Sequence, residues 1–495
     1  MIRIPTMLCA AALLAPLASA QTTPIPLSQI IERMNTTAAQ YPSICQVVDL
    51  NAKYGTPLTW QGRSILAVKI SDNVAVDEDE ESVMIVSAHH GNEYGTPFPA
   101  IDAMVRLTEG YGVNPEITAI VDSKEIWIAP VWNVDGYPTS RHNRRPGSTV
   151  DLNRNYPFLW SSPCNTGVKG PAPGSEPETQ TMMAWSEDQR FTKVLDFHSS
   201  GRETLYDYRS SCPTHVLRTF LRNEAVALST ASSYGGQVRG PSSNGEHYQW
   251  QLGNYSNHAF LTEISNTQSP SFSSATTEAN RLWPGTLWYL NRAVPVSGHI
   301  TDAITGDPVV ANISYVENPF TQGERNRSEP LYGRYHAWLP DGNHTLRIEH
   351  PCYQSVDVPV TVTATGTVLD IQLSPRCAGC NERNGSGVNP TGFACTDAPI
   401  VGATWNTTIA TTPSTSATYL ALSAASAQTP VLGGEALIDL STVIFLPGNG
   451  SHSVGIPNEA ALVGAQAFSQ GFRIDASSLV LLNAQDLVLG IAPPL

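Results

Sequence analysis

The sequence predicts a mixed-sheet α/β domain, then a small β-sandwich, then a second β-rich domain. Three observations predict it. Between about residues 27 and 294, short apolar runs bounded by turn residues alternate with helix-like segments. That is the pattern of buried strands in an α/β sheet. Near Pro295 the pattern becomes residue-by-residue alternation broken by turn signals. From residue 399 the chain is Ala-, Ser-, Thr- and Leu-rich, with Arg473 its single Lys or Arg.

Each segment follows in order. Residues 1–20 carry Arg3, the apolar run Met7 to Ala15 and the small residues Ala18-Ser19-Ala20. This is the layout of a secretory signal peptide cleaved before Gln21, and it is too short to span a membrane. Residues 21–294 form the α/β domain. Its strands are expected at Val83 to Ala88, Glu125 to Pro130, Val194 to Phe197 and Ala259 to Ile264. A helix is expected from Pro97 to Glu109. Ser175 with Glu178 reads as a capping box opening another. Residues 295–375 alternate around a Thr305-Gly306-Asp307-Pro308 turn and an Asp341-Gly342 turn, the signature of a β-sandwich. Residues 376–398 read as a Cys-, Gly- and Asn-rich linker, and 399–495 as a β-rich domain.

Charge narrows the function. The net charge is −15, and charged residues make up 14% against about 25% in ordinary chains. All five lysines lie before residue 194, and no basic run exceeds Arg144-Arg145. Nucleic-acid binding needs clustered Lys and Arg, so nucleic acid is not an expected partner. No segment beyond the leader is long and apolar enough to be a transmembrane helix. Export implies an oxidising compartment. Cys9 leaves with the leader, and Cys45, Cys164, Cys212, Cys352, Cys377, Cys380 and Cys395 remain. Seven is odd, so at least one stays unpaired within a chain. Cys377 and Cys380 could be half of a zinc site, but no second Cys or His pair stands nearby; a disulfide-tied linker is the better reading.

The chemistry begins at Ala88-His89-His90-Gly91-Asn92-Glu93. His90 and Glu93, three apart just past a strand, can turn onto one metal. A catalytic zinc takes three protein ligands and leaves one position open. His198, in Asp196-Phe197-His198-Ser199 at the end of another expected strand, lies where a third ligand could meet them, because sites in open α/β sheets collect at strand carboxyl ends. His89 is expected to pack or point away. Further blocks follow: Asn133-Val134-Asp135-Gly136, Arg141-His142-Asn143-Arg144, Asp151-Leu152-Asn153-Arg154-Asn155 and Leu261-Thr262-Glu263-Ile264. Arginines beside a metal can grip carboxylates and stabilise an oxyanion.

In this order, together with Ser175 to Thr179, these blocks resemble the zinc metallocarboxypeptidases. The resemblance covers about residues 28 to 290. It is nearest the regulatory branch, whose members carry a transthyretin-like domain after the catalytic one. The resemblance implies one Zn2+ held by His90, Glu93 and His198, with Asp151 orienting the first histidine. It implies Glu263 as general base, Arg141 on the scissile carbonyl, and Asn153 with Arg154 on the substrate's terminal carboxylate. It implies a mobile capping tyrosine at Tyr248, with Tyr255 as the alternative. It also implies a cis Ser199-Ser200 peptide. The activity implied is hydrolysis of the C-terminal peptide bond of peptides or proteins by a secreted, extracellular or periplasmic enzyme.

Two alternatives stand beside it: a cell-wall stem-peptide peptidase using the same residues, and an inactive binding relative. Specificity goes further than the resemblance. The position that selects basic residues in the regulatory branch falls, by ungapped count from His198, on Arg209. A basic residue there would attract acidic C-terminal residues. Its competing reading is a surface arginine paired with Asp207. The acidic run Asp77 to Glu81 is expected to be a solvated loop rather than a calcium site. The oligomeric state is not legible.

Overall fold

The computed structural model describes residues 23–476 and 478–493; the expected leader, with Cys9, lies outside them. Two compact units are present. One comprises the chain up to His299 with Asn312–Leu346 and Val358–Asp370; the other comprises Ile300–Ala311, Arg347–Asp357 and the chain from Ile371.

The first unit holds helices α1 (Leu27–Gln40), α2 (Leu50–Tyr54), α3 (Pro97–Gly110), α4 (Pro115–Val121), α5 (Pro177–Gln189), α6 (Arg218–Ala231), α7 (His247–Tyr255) and α8 (Phe272–Asn291). Its main sheet contains β1 (Cys45–Asp49), β2 (Leu66–Ile70), β3 (Glu81–Ser87), β4 (Lys124–Ala129), β5 (Lys193–Ser199), β6 (Glu203–Leu205), β7 (Val238–Arg239) and β8 (His258–Ile264). The four strands expected from apolar runs are β3, β4, β5 and β8. They are the buried centre of the sheet, and Val83 to Val86 of β3 are wholly inaccessible. The expected helix is α3.

The strand order is β1-β2-β4-β3-β5-β8-β6-β7. β4, β3, β5 and β8 run parallel, β1 and β2 join antiparallel to their neighbours, and β6 is antiparallel to β8 but parallel to β7. From β3 the chain moves outward to β4, then returns to the other flank of β3 as β5. The carboxyl ends of β3 and β5 therefore face a point where the winding reverses, which is where such sheets open a crevice. Lys193 is buried in β5 because Glu81 meets its ammonium at 2.7 Å and the Leu290 carbonyl accepts from it.

One expectation fails in α5. Ser175 does not cap it: Glu176 is the N-cap, Pro177 takes the first turn, and the Ser175 hydroxyl donates to the Glu176 carboxylate at 2.7 Å. Proline suits that position because its missing N–H would lack a helical partner anyway.

After Pro295, seven strands between Val296 and Leu373 form one three-stranded and one four-stranded sheet. In the second unit, residues 379–488 build a five-stranded, a three-stranded and a two-stranded sheet around two apolar clusters. One cluster centres on Phe393, Trp405 and Leu482, the other on Phe472 and Leu481. Residues 376–398 are not a plain linker. Gly379–Arg383 pairs with Ser478–Val488, and Phe393–Cys395 pairs with Thr404–Ile409. Disulfides join Cys164 to Cys212, Cys352 to Cys377 and Cys380 to Cys395; Cys45 is free and buried. Cys377 and Cys380 thus serve separate bridges. Among the described residues no helix is long and apolar enough to cross a membrane.

Candidate active site

The site is assembled at the carboxyl ends of β3, β5 and β8. β3 ends at Ser87, and Ala88 turns the chain with a left-handed φ of 55°. That conformation is costly outside glycine, and here it carries His89 and His90 off the strand. Gly91 must be glycine: a Cβ there would sit 2.4 Å from the Gly136 carbonyl carbon and 2.5 Å from Tyr137 N. Asn133 ties the two loops together. Its side-chain Oδ1 accepts from Gly136 N, and its Nδ2 donates to the His89 and Arg141 carbonyls.

His90 Nδ1 lies 2.7 Å from Glu93 Oε1 and 3.2 Å from His198 Nδ1, and His198 Nδ1 lies 3.2 Å from Glu93 Oε2. The other nitrogen of each histidine faces a carboxylate. His90 Nε2 is 3.1 Å from Asp151 Oδ1, and His198 Nε2 is 3.3 Å from Asp196 Oδ1. The Asp151 hydrogen bond places the ring proton of His90 on Nε2 and turns its Nδ1 lone pair inward, as behind metal-ligating histidines generally. Three acceptors pointing at one buried spot repel each other unless a cation lies between them. Two nitrogens and a carboxylate are a donor set that suits zinc.

His89, Asp196 and His198 form a second group close enough to hold a metal. Two of its three members, His89 and Asp196, are already saturated with hydrogen-bond partners. Asp196, with no exposure, is 3.1 Å from His89 Nδ1 and 2.9 Å from His247 Nδ1, and His89 Nε2 meets the Tyr156 hydroxyl at 2.9 Å. His89 and Asp196 do not reach the cavity, whereas His90, Glu93 and His198 line it. Asp72, Glu78 and Glu80 make a third acidic group, partly exposed; it includes part of the run expected to be a solvated loop.

The cavity has a volume of about 240 Å³. Arg141, Asn153, Arg154, Arg239, Glu246 and Glu263 line it with the three metal-facing residues. Asp151 organises one wall. Its Oδ2 is 3.1 Å from Arg141 Nε, and its Oδ1 accepts from Asn153 N at 3.0 Å. Asn153 Oδ1 in turn accepts from His247 N, the first residue of α7. Arg154 is nearly buried. It donates to the Asn153 carbonyl at 2.6 Å, pairs with Glu246 Oε1 at 3.2 Å, and keeps Nε without a partner. Burial pushes the Glu246 carboxyl above its ordinary range, with the Arg154 charge working against that rise.

Glu263 stands beside His198 in the β5–β8 register. Its Oε1 is 3.5 Å from Arg239 Nη2, and its Oε2 has no partner. Burial, with the Glu93 charge behind it, pushes Glu263 up to about 7. The Ser199-Ser200 peptide is cis, as the resemblance implied.

Three residues named from sequence, one of them as an alternative, are not brought to this cavity. Tyr248 is fully buried in α7, with its hydroxyl donating to the Asp207 carbonyl at 2.8 Å. It does not line the cavity in this conformation. Tyr255, the alternative, points its hydroxyl to Glu187 and does not line it either. Arg209 is also absent from the lining. Its backbone N–H donates to Asn244 Oδ1, and Asp207 pairs with Arg218 instead. Arg239, Glu246 and Asp196 were missed as site residues. Asp196 stands inside the quoted Asp-x-His block, so its type and spacing were the available signal. Arg239 sits on a two-residue strand with no pattern to mark it.

A family model described as zinc carboxypeptidase matches residues 30–282. The chain is 33% identical over 144 residues to a zinc carboxypeptidase of Saccharothrix mutabilis subsp. capreolus, covering 27% of this chain and 32% of that one. It is 27% identical over 235 residues to an inactive metallocarboxypeptidase ecm14 of Talaromyces stipitatus, covering 42% and 38%. Carboxypeptidase A of Helicoverpa armigera superposes with a TM-score of 0.47 at 20% identity, over 56% of this chain and 77% of that one. The chain spans about a third of the length of these curated relatives. The matched segment contains every block that builds the cavity, and it places the chain in the zinc carboxypeptidase family.

Proposed function

We propose that the chain is a zinc metallocarboxypeptidase that removes the C-terminal residue of peptides or proteins. One observation carries this reading: an unpartnered Glu263 carboxylate oxygen shares a single cavity with the convergent His90, Glu93 and His198 and with the buried Arg154. Zinc held by those three residues would supply Lewis acidity at an open position.

The remaining steps belong to the chain itself. Arg154 and Asn153 hold the substrate's terminal carboxylate, which makes the enzyme an exopeptidase, because a mid-chain peptide offers no carboxylate there. Arg141, braced by Asp151, faces the scissile carbonyl and stabilises the charge that develops on its oxygen. Glu263 accepts a proton from the attacking water and delivers it to the leaving amine. A carboxyl near neutrality suits both transfers. The intact acid and metal-facing residues favour activity over an inactive binding role.

The acidic preference now rests on Arg239 rather than Arg209. Three guanidinium groups line the cavity, and its apolar lining is Leu205 and Leu261. Such a wall favours an acidic C-terminal side chain over a basic or large apolar one. The sheets between Val296 and Leu373 support the transthyretin-like reading of that segment. Three disulfides support export to an oxidising compartment.

The test is release of the last residue from peptides ending in Glu, Lys, Phe or Ala, with zinc and with chelator. Zinc-dependent release, fastest for Glu, is expected. Absence of release from every peptide by zinc-loaded enzyme would overturn the reading.

A further inference from the structure

An acid of the chain itself already stands on the arginine assigned to the substrate's terminal carboxylate. Glu246 and Arg154 both line the cavity, with side chains 4% and 8% exposed. Glu246 Oε1 lies 3.2 Å from Arg154 Nη1, and Glu246 Oε2 has no partner. Arg154 Nη1 also donates to the Asn153 carbonyl at 2.6 Å, while its Nε has no partner. The acid therefore holds the guanidinium through one oxygen only, and the guanidinium keeps a spare donor.

The backbone builds this placement. Gly245 has a φ of 82° and packs against the Arg154 loop. A Cβ there would collide with Asn165 Nδ2 and sit 3.2 Å from the Arg154 carbonyl oxygen. Asn165 Nδ2 itself donates to that carbonyl at 3.1 Å. Glycine at 245 thus lets Glu246, the N-cap of α7, come up against Arg154.

An acid at a helix N-terminus has an ordinary explanation, since it complements the helix dipole. Capping does not require an oxygen turned onto a buried guanidinium, and that contact has consequences of its own. In the empty pocket Arg154 would be a buried charge without a counter-ion, which is costly; Glu246 removes that cost. In the filled pocket two carboxylates would share one guanidinium, and each disfavours the charge of the other.

We propose that Glu246 competes with the substrate's terminal carboxylate for Arg154: it neutralises the guanidinium when the pocket is empty and helps drive off the carboxylate of the released amino acid. Glu246 is then a positioning residue, acting through Arg154. The inference rests on the reading of Arg154 as the terminal-carboxylate anchor.

The full zinc-loaded chain tests it, with a peptide ending in Glu as substrate and free L-glutamate as ligand, the latter read by calorimetry. Glu246→Gln is expected to lower KM and the L-glutamate dissociation constant by about tenfold each, the scale of one charged contact. kcat is expected not to rise, so the gain lies in binding alone. Glu246→Thr removes the acid but keeps an oxygen of a favoured N-cap type. It is expected to shift both constants the same way, and it serves if Glu246→Gln fails to fold. Unchanged constants in Glu246→Thr would reduce Glu246 to a helix cap. Weaker binding in both variants would make it a support for Arg154. Either result overturns the competition. Tighter L-glutamate binding in both variants, with no peptide release by any form, would remove the carboxypeptidase reading and leave the competition at Arg154 standing.

Discussion

Two layers of histidine and carboxylate lie one behind the other at the carboxyl end of the main sheet. The inner layer, His89, Asp196 and His247, and the outer layer, His90, Glu93 and His198, use the same residue types at similar burial. They differ in satisfaction. Asp196 has partners on both oxygens, and His89 has them on both nitrogens. The outer layer turns lone pairs at one another, and the nearby Glu263 keeps an oxygen with no partner. Buried polar residues therefore do not mark a site by themselves. Convergence without partners does, and the inner layer is what holds the outer one in that posture.

The comparison can be broken in several places, the largest effect first. Glu263→Gln is expected to lower kcat by about 10²–10⁴ while zinc content and melting temperature stay near wild type; stopped assays with metal analysis decide this. His90→Ala is expected to reduce bound zinc below about a tenth of an equivalent, since a three-ligand site loses a ligand. His89→Ala is expected to keep zinc near one per chain and to lose stability of about 1–3 kcal/mol. Equal zinc loss in both would erase the distinction between the layers. Asp196→Asn is expected to weaken zinc affinity about 10–100-fold through His198, read by competition with a chelating dye.

Arg239→Ala sharpens the specificity claim. It is expected to cut the preference for Glu over Ala at the C-terminus by about tenfold, in line with loss of a charged contact. An unchanged ratio would leave the acidic preference without a residue.

The smallest effect concerns Glu178, wholly buried at the foot of α5. Burial, with Asp135 nearby, pushes its carboxyl up to about 7 from an ordinary 4.5. The folded state then holds its proton more tightly than the unfolded chain, so stability falls as pH rises from about 4.5 to 7. Glu178→Gln is expected to match wild type at pH 5 and to gain about 1–3 kcal/mol at pH 8, measured by denaturant melts.

What sequence reading reached follows the same physics. β3, β5 and β8 were legible because strands covered on both faces read as apolar runs, and the polar residues ending those runs stand out. His90, Glu93, His198, Asn153, Arg154, Arg141 and Glu263 all belong to such ends or to the loops beside them, and the structure gathers them at one cavity. Tyr248 lies outside the cavity here because α7 turns its side chain inward, which spacing does not show. Arg209 was chosen by counting along a loop, where one register step changes the neighbour. Arg239 was invisible because β7 offers two residues and no period. The strands within 376–398 were hidden by short length and a Gly- and Asn-rich composition that reads as a loop. Cysteine pairing was open in the sequence because three bridges among seven candidates depend on distances, not order.

The most direct measurement follows release of glutamate from a peptide ending in Glu by mass spectrometry. Wild type with zinc, wild type with chelator and zinc-loaded Glu263→Gln are run side by side, with zinc counted in each sample. The expected result is release by the first alone. Release that persists under chelation, or that zinc-loaded Glu263→Gln carries out at the wild-type rate, would contradict the assignment of this cavity as the catalytic site.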